Sequence, residues 1–418
     1  MNEPDAQRRI RDLSALLEVS KDMAASIELV PLLKQVERAA LQVLDCERAT
    51  VFLYDDCANE LCSKVATGTR DIRFSANRGI AGEALRSRAV INVPDAYADP
   101  RFNPEVDRQT GFRTCNLLAF CLVGFDGKVV GVLQALNKKQ GCFTKADEGL
   151  AVTLSSLAGV AVQRQMLLEQ YAEKQRLERD LAVAREIQQS LLPQANPQVA
   201  GYDIAGWNKP ADETGGDCYD FVELEGGRLG LMLADATGHG IGPALCVSEC
   251  RALLRASIIS PDDLAVGMQR TNALLGHDMP AGRFVTTFFG ILDPQAHRVE
   301  YVSAGHGPLL LAEAASGNNI ELPASTLPMG VRPELGTTVP APIDLAPGDT
   351  LLLVTDGFFE WVNPAKEAYG TQRIFDLARA NPETSSADLI RMLHEEVLAF
   401  AEGTPQNDDL TAIVVRRR

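Results

Sequence analysis

Four aspartates of this 418-residue chain each lie beside an apolar, strand-like run and are flanked by glycine or other small residues. The segments are ETGGDCYDF around Asp217, GLMLADATGHG around Asp235, TLLLVTDGFFEW around Asp356 and NDDLTAIVV around Asp408. Such segments present a carboxylate at the end of a strand. Carboxylate oxygens are the ligands that hard divalent cations such as Mg2+ and Mn2+ prefer. The four aspartates therefore predict an oxygen-only metal centre.

The spacing between these aspartates is long and irregular, so the fold has to bring them together. No cluster of histidines and cysteines offers a competing metal site. Pairs of cations held by carboxylates are typical of enzymes in which a bridging water attacks phosphorus. The pattern therefore favours two-metal hydrolysis of a phosphate ester.

Composition describes an acidic, globular protein. Hydrophobic residues make up 46% of the chain and charged residues 23%, and the length suffices for two or three domains. The formal net charge is −16. Because a phosphate backbone is bound by a basic surface, this charge argues against nucleic acid as a partner.

Neither a membrane span nor a disulfide framework is expected. The longest nearly apolar run, CNLLAFCLVGF at 115–125, is far shorter than the roughly 20 residues that a span needs. The first residues are polar and contain no apolar segment of a signal peptide. The nine cysteines are odd in number and scattered. We therefore expect no membrane partner, free thiols and a cytoplasmic location.

Hydrophobic periodicity predicts the elements of the N-terminal part. Residues 8–45 are predicted to be helical, and residues 49–55 and 60–68 to be strands. A further helix is predicted over 143–163, with Thr144 as its N-cap. Pro, Asp and Asn clusters between these elements predict a long structured loop.

Residues 160–192 predict one long helix, since neither glycine nor proline occurs between Val160 and Leu192. A heptad frame places eight residues on one seam, and only five of them are apolar: Leu167, Leu177, Leu181, Ala184 and Leu191. The other three are Gln170, Lys174 and Gln188. This seam predicts a parallel homodimer through a coiled coil. The alternative is a connecting helix that packs on its own domains. Where the helix meets the C-terminal domain, Ile187, Leu191 and Leu192 are expected to dock on that domain.

The C-terminal half resembles a known family. Residues 185–416 are similar to the metal-dependent PPM (type 2C) protein phosphatases, in the bacterial branch of stage II sporulation protein E and its stress-response relatives. The motifs that carry the resemblance, in order, are AREIQQSLLP, GGDCYDF, DATGHG, FVTTFFGILD, SAGHGPLLL, LPMGV, VTDGFFE and NDDLTAIVV. No single motif is specific, but eight in family order make coincidence a poor explanation.

The resemblance implies a fold and a ligand set. The fold would be an α-β-β-α sandwich of two antiparallel sheets, binding two Mn2+ or Mg2+ ions. Asp235 would bridge the ions, together with the backbone carbonyl of Ala236. Asp217 would hold the first ion through water, and Asp356 and Asp408 would complete the second. Carboxylates at these positions would be essential to catalysis.

Other polar residues near these motifs are given supporting roles. Asp409 is expected to lie behind the metal ligands. The family's acid histidine follows the bridging aspartate by two residues, where this chain has Thr237. His239 is therefore predicted to serve a turn or to support a ligand, and His306 to fix its loop. No counterpart is found for the arginine that grips phosphate in the animal enzymes.

The segment before the long helix resembles a GAF domain, a small ligand-binding sensor with an antiparallel sheet and flanking helices. Within it, NKKQGCFTKADE matches a pattern of cyclic-nucleotide-binding GAF domains. The matching residues are Asn137, Lys138, Phe143, Asp147 and Glu148. Two interpretations remain open: these residues belong to a cyclic-nucleotide site, or they only cap a helix and brace a loop.

Together the resemblances predict an α+β, multidomain protein: a GAF sensor with an N-terminal helix at 1–162, a helical linker at 163–195 and a phosphatase domain at 196–418. The predicted function is a serine/threonine phosphatase under GAF control, with a phosphorylated anti-anti-sigma (STAS-type) protein as the implied substrate. One alternative is a ligand-binding scaffold whose phosphatase domain is inactive. A third hypothesis, a cyclic-nucleotide phosphodiesterase, lacks the metal-binding histidines that such an enzyme needs.

Overall fold

The computed structural model describes residues 17–418 except 19, 22, 24, 64–71, 259–263, 281 and 337–338. The chain divides into two compact units, Met1–Arg176 and Leu177–Arg418. The second unit carries all four aspartates named above, so its strands and loops position the candidate site.

The first unit is built on a six-stranded antiparallel sheet with the order β3-β2-β1-β6-β5-β4. Its strands are β1 (Cys46–Asp55), β2 (Glu60–Ser63), β3 (Ile72–Ser75), β4 (Ile91–Val93), β5 (Leu117–Val123) and β6 (Val129–Lys138). Its helices are α1 (Leu29–Val43), α2 (Gly79–Ser87), α3 (Glu105–Thr110) and the first part of α4 (Lys145–Leu191).

Helices cover both faces of this sheet, and its strands are accordingly apolar on both faces. Val36 of α1, Leu154 of α4 and Leu133 of β6 are fully buried in one cluster. On the other face, Val132 of β6 packs with Ile80 of α2. Neighbouring residues of β6 thus serve opposite cores, as the two-residue period of a strand requires.

Two of the predicted elements of the first unit need correction, and a third is confirmed over its described part. The helix expected over 8–45 is interrupted at residues 26–28 before α1, and its beginning lies outside the described residues. Of the strand expected over 60–68, β2 covers residues 60–63, and residues 64–68 lie outside the described residues. The helices expected over 143–163 and 160–192 are one helix, α4. Because no glycine or proline between them disfavours helix, nothing in that stretch of sequence ends the first one.

Thr144 caps α4 as predicted. Its hydroxyl accepts from the backbone N–H of Asp147 (3.4 Å), and the Asp147 carboxylate accepts from both the N–H (2.7 Å) and the hydroxyl (2.8 Å) of Thr144. This reciprocal pairing is a capping box with aspartate in the acidic position. It fixes the residue at which the helix begins.

The second unit contains two five-stranded antiparallel sheets. One has the order β14-β11-β10-β9-β8 and the other β13-β12-β15-β16-β7. The strands are β7 (Tyr202–Lys209), β8 (Asp217–Glu223), β9 (Leu229–Ala236), β10 (Val285–Asp293), β11 (Arg298–Ala304), β12 (Leu309–Ala312), β13 (Asn319–Leu322), β14 (Ile343–Asp344), β15 (Thr350–Val354) and β16 (Leu410–Arg417).

Helices lie on the outer face of each sheet. The first sheet is covered by α5 (Ile241–Ile258) and α6 (Leu264–Asp278). The second sheet is covered by α7 (Asp356–Phe359), α8 (Thr371–Ala380) and α9 (Ser386–Ala401). In β9, Leu233 faces the other sheet whereas Met232 faces the helices. This four-layer arrangement explains why the strands are apolar on both faces rather than alternating.

The predicted α+β fold class is confirmed. Both units contain antiparallel sheets, and the long helix α4 lies between these sheets in the order of the chain. None of the helices in the described part of the chain is both long enough and apolar enough to span a bilayer.

Candidate metal centre

The four predicted aspartates come from two strand ends in each sheet of the second unit. Asp217 is the first residue of β8 and pairs directly with Asp235 near the end of β9. Asp356 begins α7, just after β15, and Asp408 lies just before β16. The end of β15 pairs with the start of the antiparallel neighbour β16, so Asp356 and Asp408 lie at the same end of the second sheet.

A hydrogen bond across the sandwich joins the two pairs. The hydroxyl of Thr411, on β16, donates to the Asp217 carboxylate at 2.6 Å. The Thr411 backbone N–H donates to the hydroxyl of Thr355, which precedes Asp356. The ends of both sheets are thus fixed against each other, and the carboxylates meet at one end of the sandwich.

Burial and neighbouring negative charges raise the pKa values of Asp217, Asp235 and Asp356. Burial, followed by the charges of Asp235 and Asp409, holds the pKa of Asp217 well above its usual range. Burial, followed by Asp356 and Asp408, raises the pKa of Asp235 to about 7. Burial, followed by Asp408 and Glu360, raises the pKa of Asp356 to about 6. A site that desolvates several like charges favours a cation.

These residues fit a pair of hard cations. Within the described part of the chain, no lysine or arginine forms an ion pair with any of the four aspartates. The donors are all oxygens, as Mg2+ and Mn2+ require. Among the described residues, no group of three acidic, histidine or cysteine side chains surrounds one metal position. Such cations would therefore retain several waters, which is usual for Mg2+.

Glycine brings the backbone of the two strands close together at the predicted carbonyl ligand. A Cβ on Gly216 would lie 2.7 Å from the carbonyl oxygen of Ala236. The N–H of Ala236 donates to the carbonyl of Gly216 at 2.9 Å. A side chain at position 216 would therefore displace Ala236 from its place beside Asp235.

Asp409 lies behind this cluster and holds the segment that leads into β8. Its carboxylate accepts from the backbone N–H of Ala211 at 2.7 Å and of Asp217 at 3.2 Å. Both partners precede or begin β8, so Asp409 ties the start of that strand to β16. This geometry suits the supporting position predicted for Asp409.

Two polar residues at the centre, Glu360 and Gln188, were not among the predicted site residues. Glu360 lies one helical turn after Asp356 and lines a cavity of about 150 Å³ with Asp356 and Asp408. Its place within VTDGFFE was a usable signal, because residues four apart share a helix face. Gln188, on α4, hydrogen-bonds Gly215. No spacing rule links positions 188 and 215, so only the fold reveals this contact.

The two histidines near the motifs differ in environment. His239 is exposed, and its Nδ1 lies 2.7 Å from a carboxylate oxygen of Asp212. His306 is buried, and burial lowers the pKa of its imidazole to about 4, so the ring is neutral at neutral pH. The backbone carbonyl of His306 accepts from the hydroxyl of Ser303. The contact with Asp212 suits the turn-supporting role predicted for His239. The loop-fixing role of His306 stays a prediction, because the Ser303 contact uses its backbone and its buried Nε2 has no hydrogen-bond partner among the described residues.

In the first unit, the five predicted nucleotide-motif residues form a bracing network. Asn137 bonds the backbone N–H of Cys115 (2.7 Å) and the Glu47 carboxylate (2.8 Å). Lys138 pairs with the buried Asp147 at 2.9 Å. The remaining contacts follow: Phe143 is buried in the core, and both its carbonyl and the Glu148 carboxylate accept from Asn92. The network joins the end of β6 to the start of α4.

The raised carboxyl pKa values predict a pH-dependent stability of the metal-free protein. Since Asp235 and Asp356 have higher pKa values in the folded state than in the unfolded chain, their contribution is fully present below about pH 4 and is lost as the pH rises towards 7. Asp235→Asn removes one charge, so its free energy of unfolding at pH 7.5 should exceed that of the parent by roughly 1–2 kcal/mol. Chemical denaturation in chelator measures this difference.

Asp344→Asn, at an exposed position, is the matched control and should change little. The difference between Asp235→Asn and the parent should shrink at pH 4.5. A metal-free Asp235→Asn protein that is less stable than the parent at pH 7.5 would contradict the electrostatic account.

Two family models match the chain. The model of the GAF domain matches residues 28–162. The model of stage II sporulation protein E (SpoIIE) matches residues 225–418. The second match includes Asp235, Asp356 and Asp408, whereas Asp217 lies before it.

Two curated relatives and one solved structure are similar. The chain is 27% identical over 265 residues to Protein IcfG of Synechocystis sp., covering 57% of this chain and 41% of that protein. It is 29% identical over 243 residues to phosphoserine phosphatase RsbP of Bacillus subtilis, covering 57% of each. The chain thus spans about half the length of these curated relatives.

The SiaA-PP2C domain of Pseudomonas aeruginosa shares the fold, with a TM-score of 0.51 and 22% identity, covering 59% of this chain and 98% of that domain. The family matches and the shared fold agree with the two units described above. The chain therefore contains a GAF domain that includes residues 28–162, followed by a domain with the PP2C-type fold that matches the SpoIIE family over residues 225–418.

Proposed function

We propose that this chain is a metal-dependent protein serine/threonine phosphatase under the control of its GAF domain, acting in the cytoplasm on a signalling partner. The observation that carries the proposal is the meeting of four aspartates from two sheets, with no lysine or arginine of the described residues paired to them. Family membership supports it, because the similar RsbP is a phosphoserine phosphatase.

Each residue of the centre has a distinct proposed role. Two Mn2+ or Mg2+ ions, when bound, would supply charge neutralisation and an activated water for attack on a phosphate monoester. Asp235, with the Ala236 carbonyl, would hold both ions, and Asp217 one of them. Thr411 donates to Asp217 and so fixes the carboxylate that faces the first ion. Such orientation of ligands by their hydrogen-bond partners is general in metal sites.

On the other side, Asp356 and Asp408 would hold the second ion. Glu360 adds a further carboxylate to the cavity that these two residues line. It would strengthen the local negative potential and orient water in that cavity. The reaction needs no thiol, since the proposed nucleophile is water.

The substrate proposed is a phosphoserine or phosphothreonine protein, in particular a STAS-type antagonist of an anti-sigma factor. The family resemblance supports this choice. A small molecule, with a cyclic nucleotide as one candidate, is proposed as ligand of the GAF domain. The motif residues Lys138 and Asp147 are engaged with each other, so they would shape such a site rather than contact the ligand directly. Calorimetry of the full chain with cyclic nucleotides tests this ligand.

Asp235→Asn and Asp356→Asn should each lower Mn2+-dependent hydrolysis of a phosphoserine peptide by at least about a hundredfold, because each removes an anionic ligand. Hydrolysis should survive alkylation by iodoacetamide in the parent protein. Steady-state kinetics at saturating Mn2+ measures both effects, with Asp344→Asn as control.

Retention of more than about a tenth of parent activity by both variants would contradict the proposed metal roles. A parent protein that hydrolyses neither the peptide nor p-nitrophenyl phosphate with Mn2+ would instead favour the alternative, a scaffold with an inactive phosphatase domain. The presence of all four aspartates argues against that alternative.

Control is proposed to pass along α4, which leaves the GAF domain and enters the phosphatase domain without a break. Leu167 and Leu177 of the predicted seam are exposed, as a homodimer interface would require in a single chain. In such a dimer, a ligand that shifts a two-state packing of the seam would change the phosphatase domain.

Insertion of two glycines after Glu178 should abolish both dimerisation and the response of hydrolysis to GAF ligand, because glycine destabilises helix and the insertion breaks the heptad phase. A seven-residue, alanine-rich insertion at the same place keeps the phase and should preserve both. Light scattering and kinetics provide the two readouts. If the two-glycine protein remains a ligand-responsive dimer, α4 is a passive spacer.

A further inference from the structure

The side chain of Gln188 makes a two-point contact with the backbone of Gly215. Its Nε2 donates to the Gly215 carbonyl at 2.6 Å, and its Oε1 accepts from the Gly215 N–H at 3.1 Å. A primary amide that bonds both groups of one residue fixes the position and the orientation of that residue together. Both distances are those of well-formed hydrogen bonds or slightly shorter.

Gly215 lies against the supporting aspartate of the metal centre. A Cβ at position 215 would lie 2.6 Å from a carboxylate oxygen of Asp409. The same oxygen accepts from the N–H of Asp217, two residues later. Gly215 is therefore held between Gln188 on one side and Asp409 on the other, and this determines where Asp217 enters β8.

Gln188 is also the polar attachment of the end of α4. Over residues 180–191, which the structure describes completely, it is the one side chain that hydrogen-bonds outside the helix. Ile187, predicted to dock on the phosphatase domain, is instead 59% exposed, so that prediction is wrong. Leu192, just beyond the helix, packs against the cores of the sandwich as predicted. Successive residues of a helix point about 100° apart, so Ile187 can be exposed while the next residue, Gln188, contacts the domain.

We propose that Gln188 is a positioning residue for the metal centre: by holding Gly215 it sets the place of Asp217 and hence the affinity for divalent cations. The inference rests on the proposed function in taking the centre to bind such cations. A shift of α4 by one residue, 1.5 Å along its axis, breaks both bonds to Gly215. Gln188 is thus the contact through which movement of α4 reaches a ligand of the site.

The test compares Gln188→Ala with Gln189→Ala in the full-length chain. Gln189 is the neighbouring residue of the same type, it is exposed, and its described contacts use only its backbone carbonyl. Calorimetric titration with Mn2+ should show a Kd raised about 10- to 100-fold by Gln188→Ala, the usual effect of removing a partner that orients a metal ligand. Gln189→Ala should bind Mn2+ like the parent.

A second readout separates positioning from loss of fold. In metal-free protein, hydrogen–deuterium exchange of residues 214–218 should accelerate in Gln188→Ala, with the melting temperature close to that of Gln189→Ala. Should the alanine variant unfold, Gln188→Glu preserves the side-chain length while replacing the donor to the Gly215 carbonyl by an acceptor. It should weaken Mn2+ binding at least as much.

The outcomes are distinct. If the parent binds Mn2+ and a folded Gln188 variant binds it within twofold of the parent, the positioning role is wrong while the phosphatase proposal stands. If Gln188→Ala weakens Mn2+ binding but the parent hydrolyses no phosphoprotein, the positioning role stands and the phosphatase proposal fails. A parent protein that binds no Mn2+ overturns both.

Discussion

Burial of several carboxylates at one end of the sandwich, together with their mutual repulsion, is the constraint on which the C-terminal domain depends. The pKa of Asp235 rises from 3.8 to about 7, which corresponds to a destabilisation of up to about 4 kcal/mol when the group is charged and no cation is bound. That amount is a large share of the net stability of a typical domain. Protons, or the divalent cations proposed for this site, would neutralise the cluster at neutral pH.

The scaffold around the cluster is correspondingly rigid. Asp409 accepts two backbone N–H groups, Thr411 donates to Asp217 across the sandwich, and Gln188 clamps Gly215 from outside. Asp409 and Thr411 join the start of β8 to β16 of the second sheet, and Gln188 joins the segment before β8 to α4. The two sheets therefore cannot slide relative to each other without moving Asp217. Gln188, near the end of α4, contacts the same arrangement through Gly215, so the proposed control along α4 would act next to the proposed metal ligands.

Much of this arrangement was predictable from local sequence. Continuous apolar strands, capping residues such as Thr144, and family motifs sufficed for the α+β class and for the strand ends that carry Asp235 and Asp356. What failed depended on distance in sequence. Gln188 and Gly215 are 27 residues apart on unrelated elements. The exposure of Ile187 follows from the rotation of α4, which heptad spacing alone does not determine. Whether Asn137 and its neighbours brace a loop or contact ligand depended likewise on tertiary partners.

The central claim, that the four aspartates hold two cations, is tested most directly by crystals of the full chain grown with Mn2+. The anomalous difference map should show two peaks about 4 Å apart. One should lie beside Asp217 and the other beside Asp356 and Asp408, with Asp235 and the Ala236 carbonyl between them. A map without peaks at this end of the sandwich, at an Mn2+ concentration that saturates calorimetric binding, would contradict the account.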